Sequence, residues 1–311
     1  MGGRPIRFGT GGGRVADPAR LIAAARRAEE IGYSTFSMAD HFHMPFSPLI
    51  ALAAVADATT TLRVTQTVLA HDFRSPAVVA KDLATLDVLS GGRVEVGVGA
   101  GWMQSEYVQA GIQFDAAGVR IARLDEYLTV LKGLFGDEPF SFSGEHFTIS
   151  ALDGTPKPIQ RPAPPILVGG GGTKLLAVAA RQADIIQVMP RMRPPGQPID
   201  PTQFSAAVYR GKIDHIKAVA GDRFPDIELG TQLLAAAVTD DVDAVLDDVA
   251  AGHGISAEAL RTSPLVAVGS LSEVCDKLLA VRDEYGISYF ACPYGAKPSS
   301  LAPIIEKVAG A

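Results

Sequence analysis

The sequence predicts an α/β chain closed into a (β/α)8 (TIM) barrel, on three observations. Short β-branched runs alternate with amphipathic helical stretches about eight times along the 311 residues. The segment Leu83–Tyr107, LATLDVLSGGRVEVGVGAGWMQSEY, reads as a helix end, a Gly91-Gly92 turn, a short apolar strand and a glycine-rich mouth carrying Trp102 and Glu106. A strand that ends in small residues, with an acid just beyond it, is how such barrels build active sites. Finally, no linker-like shift in composition and no fixed repeat divides the chain, so residues 1–311 are expected to form one barrel domain with an inserted hairpin and loops.

The elements follow in order. Arg4–Gly9 reads as strand one. Asp17 caps a helix opened by Pro18, with Leu21, Ile22, Ala25, Ala28 and Ile31 on one face and Gly32 as the stop. Tyr33–Ala39 is strand two and Pro48–Asp57 the next helix. Leu62–Val68 is strand three, after which Ser75-Pro76 caps a helix running to Leu89. Val94–Val98 is strand four. Val119–Phe135 carries Ile121, Leu124, Leu128, Leu131 and Leu134 at helical spacing. Phe140–Ile149, centred on Ser143-Gly144, reads as a hairpin inserted before strand five. The proline-rich Thr155–Pro165 leads into strand five, Ile166–Val168, and the helix Lys174–Gln182. Ala183–Val188 is strand six, Glu228–Val238 holds strand seven, and a helical excursion over 239–285 precedes strand eight, Ile287–Ala291.

Composition narrows the function. Hydrophobic residues make up 47% and charged residues 20%, as expected for a globular chain with a substantial core. The net charge of −6, from 28 basic and 34 acidic residues, argues against a nucleic-acid partner. The N-terminus MGGRPIRFGTGGG lacks an apolar signal core, Ile6 breaks the myristoylation pattern, and no apolar run is long enough to span a membrane. Cys275 and Cys292 are too few for a disulfide framework or zinc knuckle. A cytoplasmic enzyme acting on a small molecule is expected.

Three places carry chemistry. Asp40-His41-Phe42-His43 follows strand two, at what would be the carboxyl-terminal mouth. An aspartate beside a histidine can tune an imidazole for proton transfer, although neighbours on an extended segment point to opposite sides and need not bond each other. A helix-capping Asp beside a surface His uses the same residues. His41-x-His43 also matches the first ligands of barrel metal hydrolases, but His71 is the only other histidine near a strand end and no aspartate follows strand eight, so no metal is expected. Gly169–Gly172 with Thr173 comes straight after strand five and opens a helix, exposing consecutive amides to an anion such as a phosphate. Gly9-x-Gly11 fails the dinucleotide fingerprint because Arg14 stands at its third glycine, which disfavours a Rossmann dehydrogenase. Arg191-Met192-Arg193 at the next mouth is either a second anion site or a solvated loop.

RFGTGGG, MADHF, TQTVLAHDFRSPAVVAKDLATLDVLSGGRVEVGVGAGWMQSEY and PPILVGGGGTKLLAVAARQAD together resemble the luciferase-like monooxygenase superfamily, and within it the coenzyme F420-dependent oxidoreductases, which are (β/α)8 barrels. The likeness covers roughly the first 190 residues and returns at Val268–Phe290. It implies that Asp40 contacts the deazaflavin ring, that His41 is the proton-handling histidine and that Glu106 is the acid near the ring. Thr67–Val68 would be a strand-three bulge, often a non-proline cis peptide backing the bent ring. Gly99 and Gly101 would let the backbone approach the ring, and Gly169, Gly170, Gly171, Gly172 and Thr173 would bind the cofactor phosphate. His71, Arg74, Arg191 and Arg193 would suit a cofactor tail bearing carboxylates. The family's sugar-phosphate dehydrogenases carry a tryptophan where this chain has Met44, Pro45 and Phe46, which favours a more apolar substrate. The expectation is therefore an F420-dependent reductase, with His41 or Glu106 supplying the proton. The alternatives are an FMN-dependent monooxygenase and, from another class, a non-catalytic flavin- or deazaflavin-binding protein. A homodimer is the family-level expectation.

Overall fold

A computed structural model describes residues 3–191, 197, 200–293 and 295–311. The first half of the barrel comprises β1 (Arg7–Gly11), β2 (Thr35–Met38), β3 (Arg63–Gln66) with its continuation β4 (Leu69–Ala70), and β5 (Val94–Gly99). After the antiparallel hairpin β6 (Phe140–Ser143) and β7 (Thr148–Leu152) come β8 (Ile166–Gly170), β9 (Ile185–Val188) and β10 (Glu228–Gln232). β11 (Ala235–Val238) and β12 (Val266–Gly269) stand apart, and β13 (Ile287–Ala291) pairs with both β10 and β1. Every barrel pairing is parallel, and with β3 also paired to β5 the sheet closes into eight strands. This is the predicted (β/α)8 barrel.

The helices begin where the cap residues stand. α1 (Pro18–Ile31) starts on Asp17, whose carboxylate accepts from the Arg20 amide at 2.9 Å, and it stops at Gly32 with φ 96°. Leu21, Ala25 and Ala28 form its buried face. α2 (Pro48–Asp57) and α3 (Pro76–Leu89) also open on prolines. Ser75 makes no side-chain cap bond, so there the proline alone marks the start. α4 (Gln104–Gln109), α5 (Ala117–Phe135), α6 (Thr173–Gln182) and α7 (Ala206–Ala220) follow, then α8 (Val242–His253), α9 (Ala257–Thr262), α10 (Leu271–Tyr285) and α11 (Ala302–Val308).

Two expectations are corrected. The apolar run Glu228–Val238 is two strands, because the chain leaves the barrel at Leu233-Leu234, where the Leu234 amide turns to the Leu265 carbonyl at 2.8 Å. The excursion over 239–285 is not wholly helical: it contains β12, which β11 pairs with through Ala235↔Val266 to Val238↔Gly269. The unbroken apolar stretch Leu233–Val238 has no period from which to read the first change.

The main apolar core lies between strands and helices. Leu167, Ile185 and Tyr289, with Val68 against them, form a second small cluster contributed by the strands themselves. At the amino-terminal strand ends, Arg7 bridges Glu95 and Glu228, each at 2.7 Å, and Arg63 adds a 2.9 Å bond to Glu95. The Arg7 guanidinium also lies 3.9 Å from the Tyr289 ring centre. This paired cluster occupies the end opposite the site.

Glu29 of α1 holds the loop before β3. Its Oε1 accepts from the amides of Thr60, Thr61 and Leu62 at 2.6–2.9 Å. Burial pushes its carboxyl up, but the amides of Thr61, Leu62 and Thr60 outweigh that and hold it down at about 2. A depressed carboxylate contributes stability above its unfolded value and loses it as pH falls through the folded one. Glu29→Ala should therefore lose roughly 1–2 kcal/mol near neutral pH, after allowing for solvent screening, and little below pH of about 2. Chemical denaturation at a series of pH values checks this; a loss independent of pH would remove the charge from the explanation.

Candidate active site

The carboxyl-terminal ends of β2, β4, β5 and β8 bring the predicted site residues to one mouth. The chain leaving β2 presents Asp40 and His41 to different partners, as the alternation of an extended segment requires. Asp40, 7% exposed, accepts from Arg74 at 2.6 and 2.9 Å and from the Ala70 amide at 3.1 Å. Both oxygens are committed to β4 and the turn behind it, so Asp40 locks the start of α3 to the β2 mouth.

His41 turns instead to Glu106, on the first turns of α4. Its Nδ1 lies 2.7 Å from Glu106 Oε2, and His43 Nδ1 lies 3.0 Å from Oε1. The Phe42 amide donates to the same Oε1 at 3.0 Å, so three successive residues converge on one carboxylate. The two imidazoles stack at 5.0 Å, and Trp102 meets His41 edge-on at 5.8 Å. Burial pushes the Glu106 carboxyl up, but the bond and charge of His41, then those of His43, outweigh it and hold it below the ordinary carboxylate range. Glu106 is thus ionised near neutrality. Its partner His43 entered the sequence reading only as half of a metal pair; a turn closed by the Met44 amide on the His41 carbonyl at 3.0 Å brings both rings to Glu106.

The peptide between Thr67 and Val68 is cis, at the break between β3 and β4 where the resemblance puts it. The glycines of β5 answer to this bulge. A Cβ on Gly97 would sit 1.7 Å from the Gln66 carbonyl oxygen, and one on Gly99 would sit 2.4 Å from Val68 Cγ2. Gly101, with φ +70°, would drive a Cβ to 1.8 Å from the Tyr107 hydroxyl. Packing against the chain's own atoms is therefore reason enough for Gly99 and Gly101.

The tail expectation is corrected for two residues. Arg74 is committed to Asp40, and His71, 2% exposed, lies 3.1 Å from the Gly99 carbonyl and 3.0 Å from Asp72. Asp72 in turn takes Arg123 at 2.6 Å and the Tyr107 hydroxyl at 3.1 Å, a buried network that sequence spacing does not reveal. Arg191 is exposed beside the glycine run, and Arg193 lies outside the described residues.

Gly169 and Gly170 end β8, Gly171 follows, and Gly172 stands at the start of α6. α6 has no side-chain cap, and a Cβ on Gly172 would meet nothing within 4 Å, so its start is uncapped and has open space beside it. A phosphate fits there. The glycines differ as test positions: a Cβ on Gly171 would fall 2.1 Å from the Met189 carbonyl oxygen, a backbone clash. Near the mouth, Gln187 on β9, 5% exposed, has no partner for its Nε2 among the described residues, which leaves a donor for a bound ring.

Residues 4–264 match the family model described as luciferase-like monooxygenase. The chain belongs to that family. Among relatives, an uncharacterized protein of Mycobacterium tuberculosis is 33% identical over 229 residues, covering 66% of this chain and 80% of its own. An F420-dependent glucose-6-phosphate dehydrogenase of Amycolatopsis mediterranei is 31% identical over 176 residues, 54% of this chain and 52% of that one. An FMNH(2)-dependent dimethylsulfone monooxygenase of Pseudomonas putida is 36% identical over 131 residues, 42% and 36% of the two chains. Of the solved structures, an F420-dependent secondary alcohol dehydrogenase with an F420-acetone adduct has a TM-score of 0.77 at 19% identity and 98% coverage of both chains. EDTA monooxygenase from Chelativorans sp. BNC1 reaches 0.79 at 15% identity, with 98% and 93% coverage. Those two speak to the luciferase-like fold alone. Among the described residues no helix is long and apolar enough to cross a membrane.

Proposed function

We propose that this luciferase-like chain is a coenzyme F420-dependent oxidoreductase passing a hydride between C5 of the deazaflavin and a small organic substrate, as a reductase. The observation that carries this reading is the His41–Glu106 bond of 2.7 Å at the barrel mouth. A hydride acceptor must also gain a proton, and an imidazole oriented by a buried carboxylate can supply one. The relative whose name states F420 dependence supports it.

The cofactor, when bound, supplies the hydride chemistry. The chain supplies binding, orientation and proton management. The open amides at Gly172 and Thr173 would hold the phosphate, and Val68 would back the ring. Glu106, ionised, holds His41 through Nδ1 and fixes the direction of its ring. That leaves His41 Nε2 as the atom that hands its proton to the substrate. Glu106 is then the orienting carboxylate rather than the donor, a narrower division of labour than the residues alone suggest.

An FMN-dependent monooxygenase is the second reading, favoured by the 36% identity to the dimethylsulfone monooxygenase. Side-by-side fluorescence titration of the purified protein separates them: F420 should bind more tightly than FMN. Clear FMN binding without detectable F420 binding would promote the monooxygenase. For the cradle, Gly172→Leu should weaken binding of the phosphorylated cofactor by roughly tenfold or more while leaving Tm unchanged, because its side chain enters open space. Unchanged affinity would place the phosphate on another loop.

A further inference from the structure

His41, His43 and Glu106 do more than share a hydrogen bond: their ligand atoms, two Nδ1 nitrogens and a carboxylate oxygen, all lie within 4.8 Å of one another. We propose that this cluster is a binding site for a divalent transition-metal ion, zinc above all, and that zinc captures the proton-handling histidine.

The donor set is the first argument. Two neutral imidazoles and one carboxylate, with a fourth position open, suit zinc in both number and kind. Spacing is the second. Ligand atoms of a tetrahedral zinc site stand about 3.4 Å apart, given bonds near 2.1 Å. His41 Nδ1 stands 2.7 Å from Oε2 and His43 Nδ1 3.0 Å from Oε1, and all the ligand atoms lie within 4.8 Å of one another, so shifts of about 1 Å bring the set to that spacing. Both rings already point Nδ1 at the carboxylate, so zinc replaces the shared protons without turning a side chain over. Support is the third. The Phe42 amide holds Glu106 Oε1, and the Glu106 side chain is 6% exposed, so the carboxylate is oriented before any ion arrives. Access is the fourth: the His43 side chain is 39% exposed, which gives the ion a path from solvent.

The ion would therefore bind whatever the protein's reaction is. The consequence for turnover rests on the proposed role of His41. An imidazole that carries zinc on Nδ1 cannot also carry a proton there, and its remaining Nε2 proton is held too firmly to be given up near neutral pH. Zinc would then inhibit a reaction that needs the His41 proton.

The binding test needs no substrate or cofactor. The metal-free protein is titrated with zinc against a chromophoric chelator, and with cobalt to read the ligand field. One zinc per chain with a roughly micromolar dissociation constant is expected. His43→Ala should weaken it about ten- to a hundredfold, and Glu106→Gln at least as much. Cobalt should give visible d–d bands without the near-ultraviolet thiolate band that Cys275 or Cys292 would produce. Failure of wild type to hold zinc against the chelator, or equal retention by His43→Ala of unchanged Tm, would overturn the site. Zinc bound as described but without effect on F420-dependent turnover would leave the site standing and count against the His41 assignment.

Discussion

Glu106→Gln should lower turnover by roughly 10²–10⁴-fold, the usual worth of positioned acid–base catalysis, while cofactor affinity changes little. The substitution keeps the shape of the side chain and removes its charge. His41 then loses the charged partner 2.7 Å from Nδ1 that fixes its orientation. His41→Ala should cause a loss of the same order, and the double variant should be little worse than either single one, because the two act as a unit. Steady-state kinetics with reduced cofactor, alongside a binding titration for each variant, decides this. Additive losses, or a collapse of affinity with turnover intact, would show that the pair holds the ligand rather than moving a proton.

Asp40→Ala should destabilise the fold by about 2–3 kcal/mol, lowering Tm by roughly 3–5 °C. The family resemblance implies that Asp40 contacts the cofactor ring, but in the folded chain it holds Arg74 through two bonds and the Ala70 amide through a third. Its removal leaves the Arg74 guanidinium, with a side chain 27% exposed, without its carboxylate. The partial exposure keeps the loss below that of a fully buried pair. Asp40→Ala with Arg74→Ala should be less destabilised than the sum of the single variants, since the second change removes the stranded charge. Thermal melts of the four proteins measure the coupling. A stable Asp40→Ala protein with greatly weakened cofactor binding would return Asp40 to the ring.

Much of the barrel is legible in the chain because its signals are local. Asp17, Pro18 and Gly32 mark α1 through backbone groups within a few residues of them, and the strand ends at Gly99 and Gly170 place the mouths that carry Glu106 and Gly172. Where the local signal is silent the reading fails. Within Glu228–Val238 the stretch Leu233–Val238 is apolar throughout, so nothing in it says that it leaves the barrel for β12. The glycines of β5 are visible as glycines, but what they make room for, the Gln66 carbonyl and the Val68 side chain, comes from a neighbouring strand.

The sequence by itself determined the alternation of strand and helix, the family, and which residues stand at the barrel's mouth, since caps, periods and motif order act over one or two turns. Only the tertiary structure decided the partners. Asp40 meets Arg74, 34 residues on, whereas His41 and His43 meet Glu106, 65 and 63 residues on. Arg7 meets Glu95 and Glu228 at the far end, 88 and 221 residues away. Any of these carboxylates could have served any nearby base. The choice follows from barrel closure, which brings strand ends remote in sequence within hydrogen-bond reach and withdraws Asp40 and Glu106 from the water that would otherwise satisfy them.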